Sequence, residues 1–370
     1  MGSGVLAEWI DGAAGPAGDH TDRSVDEAFS VKEAHAIVRH LLRRNPAIYF
    51  ADFAVTMTVV YLAGFVYFRA GLSPLQLGAG VVCGCALFRA GMFIHEIQHM
   101  RRGEMTGFVV AWNLVYGIPM MLPSFMYANH RDHHDPRTYG TVRDGEYRVF
   151  TTGGLPQIAA HFLIGLVVPP ALVLRFLVLG PLSHCWPRLR RFVLVHAMTL
   201  GDPAKGRRIW PDENHAIWAV MELAVCAVVV TGSVLLASGF LPWTILPKGY
   251  AIGVLAVELN AMRDFTAHRF GNSGEPMSHA EQLADSINIV GKGPVTYLLY
   301  PIGMRYHALH HLFPAMPYHN MARAHRLLME RLPAQSPYRA TNRRGFFDTA
   351  GTMVRAAAAY SKEARLAKVT

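Results

Sequence analysis

Charge is scarce in this chain. Of its 370 residues only 16% are charged, and the mean hydropathy is +0.21. An ordinary soluble protein carries about 25% charged residues, so the balance argues against a soluble fold and for lipid. Cysteine is scarce too. Cys83, Cys85, Cys185 and Cys226 form no C-x-x-C pair and read as buried free thiols. Internal repeats are absent apart from three histidine boxes, and low complexity is confined to the alanines at 356–359. Residues 1–29 are polar and Gly/Asp-rich with no apolar core, which predicts a mobile polar tail and no cleavable signal peptide.

Where charge is missing there are long apolar runs. Residues 48–68 and 75–94 are each long enough to cross a hydrocarbon core of about 30 Å. Residues 216–240 and 250–262, the latter continuing in helical form through Phe265, make a second pair. The runs at 107–126 and 155–182 are interrupted, the first by Gly117, Pro119 and Pro123, the second by Pro169 and Pro170. If both crossed, His95 and His130 would fall on opposite faces of the bilayer. Both are therefore expected to be re-entrant or interfacial, which prolines permit where protein covers the freed backbone groups. Ser30 to Glu33 has the pattern of a capping box, followed by Ala34, Ile37, Val38, Leu41 and Leu42 at helical spacing. That predicts an interfacial amphipathic helix ended by Asn45-Pro46. The expected fold is thus an all-α integral membrane protein. It has four transmembrane helices, further re-entrant or interfacial helices, and a cytosolic histidine-rich cap. The domain-like region spans 30–340, and a basic tail occupies 341–370.

The net charge of +9 is uneven. The short loops at 69–74 and 241–249 carry only Arg69 and Lys248. The opposite ends carry Arg43, Arg44, Arg101, Arg102, Arg188, Arg190, Arg191, Lys205, Arg207 and Arg208. By the positive-inside rule the richer side is the cytoplasm. Both termini and the boxes are expected there, in an inner or plasma membrane, with anionic lipid rather than nucleic acid as partner of the basic charge. Arg89, near the cytoplasmic part of the second run, is expected to snorkel or pair, with contact to a lipid head group or carboxylate as the sharper alternative.

The stretch FIHEIQHM, 93–100, contains H-E-x-x-H, which on a helix sets His95 and His99 one turn apart, as in zinc proteases. It does not stand alone. His130, His133 and His134 form H-x-x-H-H, and His307, His310 and His311 form another. With 19 histidines in the whole chain, chance does not supply two such boxes beside an H-E-x-x-H. The set is too large for one tetrahedral zinc, and it suits two ions with nitrogen ligands, for which imidazole-rich iron is apt. An intramembrane zinc protease remains a remote alternative. Lone histidines such as His161, His184, His196, His215 and His279 read as ordinary polar side chains.

HEIQH, HRDHH and HALHH, in this order and spacing, resemble the membrane fatty acid desaturase family. The segments RYHALHHLFPAMPYHN (305–320), RDFTAHRF (263–270) and GEPM (274–277) are similar to its bacterial branch. The resemblance covers roughly 30–340. It implies an oxidoreductase with two iron ions and O2 as co-substrate. The iron ligands it implies are His95, His99, His130, His133, His134, His268, His307, His310 and His311. His268 occupies the place of a further histidine on the fourth span of the acyl-CoA desaturases. Asp264 stands where those enzymes carry a water-holding asparagine, and is a candidate metal or water ligand. Glu96 and Asp132, inside boxes one and two, are expected to orient ligand imidazoles; His319 is expected in a supporting position. The resemblance implies double-bond formation in an acyl chain, fatty acid or acyl lipid, with hydroxylation by the same superfamily chemistry as the alternative. No HPGG haem-domain signature occurs, so electrons must come from a separate ferredoxin or cytochrome.

Overall fold

The computed structural model describes residues 31–197 and 201–366. The expected polar tail, the Ser30 cap and the last four residues of the basic tail lie outside the described residues. The chain packs as two units. One, the apolar unit, comprises the described residues of 44–132 and 161–262; the second comprises the described residues of 1–43, 133–160 and 263–370. The principal helices, in chain order, are α1 (Val31–Val38), α2 (Pro46–Arg69), α3 (Pro74–Gly91), α4 (Phe93–Gln98), α5 (His130–His133), α6 (Leu155–Leu174), α7 (Pro187–His196), α8 (His215–Ala237), α9 (Ile245–Phe265), α10 (His307–Leu312), α11 (Tyr318–Arg331) and α12 (Phe346–Leu366). Strand is confined, among the described residues, to the two-residue pair Asn288–Ile289 and Asn342–Arg343. The fold is all-α. Among the described residues, four helical runs are long and apolar enough to cross a membrane: Pro46–Arg69, Pro74–Gln98, Leu155–Cys185 and His215–Ala237.

In the apolar unit the helices start where capping chemistry directs. The Asn45 carboxamide accepts from the Ala47 N–H at 3.1 Å ahead of Pro46, and the Ser73 hydroxyl accepts from the Gln76 N–H at 3.3 Å ahead of Pro74. Gly84 lets α3 approach α9, for a Cβ there would come within 2.6 Å of Leu255. Lys248 Nζ donates to the carbonyls of Phe68 (3.0 Å) and Ala70 (3.2 Å), so the start of α9 and the end of α2 share one end of the unit. At the other end the Arg208 N–H donates to Asp132 at 2.8 Å and Arg131 pairs with Asp212 at 2.9 Å, just before α8 begins. The unit's histidine boxes and its short loops therefore sit at opposite ends. Arg89 is paired with Asp52 at 2.5 Å, which answers its placement in an apolar helix.

Two expectations about this unit are corrected. Residues 155–182 are not broken at the prolines: helix runs from Leu155 to Cys185, with a π-helical turn at Arg175–Leu179. Pro169 and Pro170 free the carbonyls of Gly165 and Leu166, and the Tyr250 hydroxyl donates to the second of these at 3.1 Å. This run replaces 250–262 among the four apolar helices, because the helix over that stretch includes Lys248, Glu258, Arg263 and Asp264. His161 Nε2 meets the Ala261 carbonyl near the end of α9 at 3.0 Å, Pro169 lies against Gly253, and Gly180 against Cys226 in mid-α8. Arg190 on α7 is then back at Glu222, two turns from the start of α8. Residues 107–126 are broken as expected: helix Thr106–Trp112 passes into a π turn at Asn113–Gly117 and then a 3-10 turn at Ser124–Tyr127.

In the second unit α1 buries Ala34 and Val38 against Ala308, Leu309, Met321, Ala324 and Leu328. The amphipathic stripe thus faces protein, not a membrane surface, because α11 offers a matching apolar face. Residues 346–366, within the expected basic tail, form α12, and Ser361 there accepts from the Leu155 N–H at 3.2 Å.

Candidate metal centre

The second unit brings four histidines together from three parts of the chain. His133 closes α5, His307 and His311 share one face of α10 one turn apart, and His268 follows the end of α9. Short backbone pairings hold the last two groups. His268 bridges to Ser286, and the Ile287 N–H donates to the Ala267 carbonyl at 3.0 Å. Asn288 bridges to Tyr306, immediately before His307. The segment 285–289 is therefore the frame on which both ligand groups hang. All four imidazoles have a ring nitrogen within 4.8 Å of every other. Nε2 of His133 lies 3.2 Å from Nε2 of His268, which lies 2.9 Å from Nε2 of His307, which lies 3.1 Å from Nε2 of His311.

The outer nitrogens are held by groups that define which one carries the proton. His133 Nδ1 donates to Asp144 Oδ2 at 2.8 Å, and Asp144 also accepts from the N–H groups of Gly140, Glu146 and Tyr147. His268 Nδ1 lies 2.8 Å from the Tyr139 hydroxyl, which donates to Asp285 Oδ2 at 2.8 Å; Tyr147 donates to Asp285 Oδ1 at 3.0 Å. Both rings thus keep their proton on Nδ1 and turn a bare Nε2 inward. Two lone pairs at 3.2 Å repel unless a cation lies between them. This donor set fits a metal ion: neutral, inward nitrogens with carboxylate-backed outer N–H groups. Burial disfavours charge on His133, but Asp144 outweighs it and, with Glu146 and Asp264, pushes the ring up to about 9. Burial, with the charge on His133, holds His268 below its ordinary value, and His311 lies well below for the same reasons.

His134 and His310 lie beside this group, with their Nε2 atoms 3.1 Å apart. In the apolar unit His95, His99 and His130 form a second cluster, with ring centroids 4.5 Å apart for His95 and His130, 4.9 Å for His99 and His130, and 5.1 Å for His95 and His99. Glu96 accepts from the Tyr49 hydroxyl, and Asp132 accepts from the Arg208 N–H and, at 2.9 Å, from the Trp210 indole. His319 is half-buried on α11 against Tyr318. Asp264 pairs with Arg263 at 3.6 Å, and its charge is felt at both His133 and His268. It does not share a helical face with His268, because α9 ends at Phe265.

Tyr139, Asp144, Tyr147 and Asp285 were not foreseen from the sequence. None falls in a box, and only the tertiary pairings carry them to the histidines.

The fatty acid desaturase family model matches residues 72–342. A protein of Caulobacter vibrioides (strain NA1000 / CB15N) named ceramide hydroxylase is 35% identical over 343 residues, covering 90% of this chain and 95% of its own length. The chain belongs to the fatty acid desaturase family of membrane oxidoreductases.

Proposed function

We propose that the chain is an O2-dependent di-iron lipid hydroxylase that places a hydroxyl group on a ceramide-type sphingolipid. The observation that carries the metal half of this reading is the buried cluster of His133, His268, His307 and His311, with its Nδ1 protons held by Asp144 and Tyr139. We assign one iron to these four, and take the remaining box histidines, His95, His99, His130, His134 and His310, as further iron ligands. The irons supply activation of O2 when bound. Imidazole suits iron and resists oxidation, and Asp144 and Asp285 give a negative surround that favours its higher oxidation state. Asp264 acts in this reading through its charge. Its carboxylate, paired with Arg263, biases His133 and His268 and is not assigned as a ligand.

The substrate half is supported by the 35% identity to a ceramide hydroxylase over nearly the whole of both chains. The boxes are assigned to the cytoplasmic side, where a separate ferredoxin or cytochrome supplies electrons. Desaturation is the second reading, favoured by the family model and served by the same centre. Lipid mass spectrometry of cells with and without the chain separates the two. The expected product is a ceramide that has gained one oxygen atom. A product that has lost two hydrogens instead overturns the hydroxylase reading in favour of desaturation.

A further inference from the structure

Trp210 lies on the box-bearing end of the apolar unit, and its surroundings are unusual for an interfacial tryptophan. The guanidinium of Arg131 lies 4.5 Å and that of Arg208 4.4 Å from the ring centroid. The indole N–H is taken by Asp132, at 2.9 Å, inside box two between His130 and His133. A tryptophan that anchors in lipid keeps its ring faces for hydrocarbon; here they carry cations. Arg101, Arg102 and Arg208 are exposed, and Arg131 is half-exposed. Asp212 is the exposed acid among them, bonded to Arg131, while Asp132 and Glu213, which accepts from the Trp210 backbone N–H at 3.1 Å and pairs with Arg207, are covered. That bond, with the charge of Arg102 adding to it, holds the Asp212 carboxyl below its ordinary range, so Arg102 belongs to the same patch.

We propose that Arg102, Arg131 and Arg208, grouped around Trp210, form the docking surface for an acidic one-electron carrier protein. This rests on the oxygenase reading, because that reading creates the demand. Inserting one oxygen of O2 into a C–H bond yields C–OH and water and consumes two electrons and two protons. Two reduced one-electron carriers are therefore oxidised per product. Net positive charge complements an acidic carrier and speeds its encounter. Trp210 ties the patch to box two by one hydrogen bond to Asp132, two residues after His130, so a carrier seated there is brought to the box-bearing end of the apolar unit.

The test uses the full-length protein in nanodiscs and an acidic two-iron ferredoxin, kept reduced by NADPH and its reductase. Binding and turnover are measured for the parent, for Arg102→Glu/Arg208→Glu, and for a control with the same charge change on α11, Arg323→Glu/Arg331→Glu. The patch variant should weaken ferredoxin binding by about tenfold or more and flatten its salt dependence, while product formed with dithionite as reductant is unchanged. The control should bind ferredoxin like the parent. The proposal is overturned by a parent that does not bind ferredoxin at low salt, by a patch variant that binds like the parent, or by a control that weakens equally. Failure of the parent to make any oxidised lipid with dithionite would instead defeat the oxygenase reading, and ferredoxin binding alone would then judge the surface.

Discussion

His268 Nδ1 donates to the Tyr139 hydroxyl at 2.8 Å, and this contact decides which nitrogen of His268 faces the metal position. Tyr139 has given its own proton to Asp285, so it can only accept from His268. The ring is thereby fixed with Nε2 inward, beside His133 and His307.

Tyr139→Phe should therefore release the tautomer and orientation of His268 while leaving the aromatic packing. Such supporting hydrogen bonds are worth about 10–100-fold in metal affinity. Metal titration of the variant should show that loss at one of two sites, with Asp285→Asn giving a smaller one because Tyr139 remains. Unchanged affinity in Tyr139→Phe would separate Tyr139 from the centre.

Metal uptake should depend on pH in a direct way. In the metal-free chain His133 holds a proton to about pH 9, against the pull of burial, because of Asp144. Metal must displace that proton, so apparent affinity should rise with pH, by about tenfold per unit, and level off once His133 is deprotonated. In Asp144→Asn the ring loses its partner, its value falls, and the slope should move to lower pH. Cobalt(II) titrations across this range read it spectroscopically.

Glu222 is buried and bonded to Arg175, Arg190 and His184 where α7 meets α8. Glu222→Ala leaves two guanidiniums together without their counter-charge. Breaking such a buried pair costs about 3–5 kcal/mol. Thermal unfolding in detergent should show a large fall. Arg175→Leu/Glu222→Leu should recover part of it, since one guanidinium instead of two, that of Arg190, is then left without its counter-charge.

His325 gives the second unit an acid-sensitive contact. Burial first, and then Arg305, lower its ring from 6.5 to about 4, and the neutral Nδ1 accepts from Tyr338 at 2.8 Å. The folded value lies below the unfolded one, so this stabilisation is complete above about pH 6.5 and is lost as pH falls toward 4. Its ceiling is about 3 kcal/mol. Unfolding of the parent should steepen over that window, and His325→Gln should flatten it.

Much of the chain is legible in sequence because its signals are local. Apolar run length gives α2, α3 and α8, and the H-x-x-H-H spacing gives the one-turn pairing of His307 with His311. The course of Leu155–Cys185 is not legible, since a proline pair announces a break, while the helix continues through it and a freed carbonyl, that of Leu166, is met by Tyr250 from distant sequence. Asp264 and His268 invite a shared helical face, but α9 stops at Phe265, where the chain turns to pair with Ser286. Tyr139, Asp144 and Asp285 lie outside every motif, because their role depends on pairings across long stretches of chain.

Metal analysis of the gently purified protein tests the central claim most directly. The account predicts about two irons per chain, and about one in His268→Ala, with the loss confined to the site shared with His133, His307 and His311. One zinc and no iron in the parent, accompanied by proteolytic activity, would contradict it.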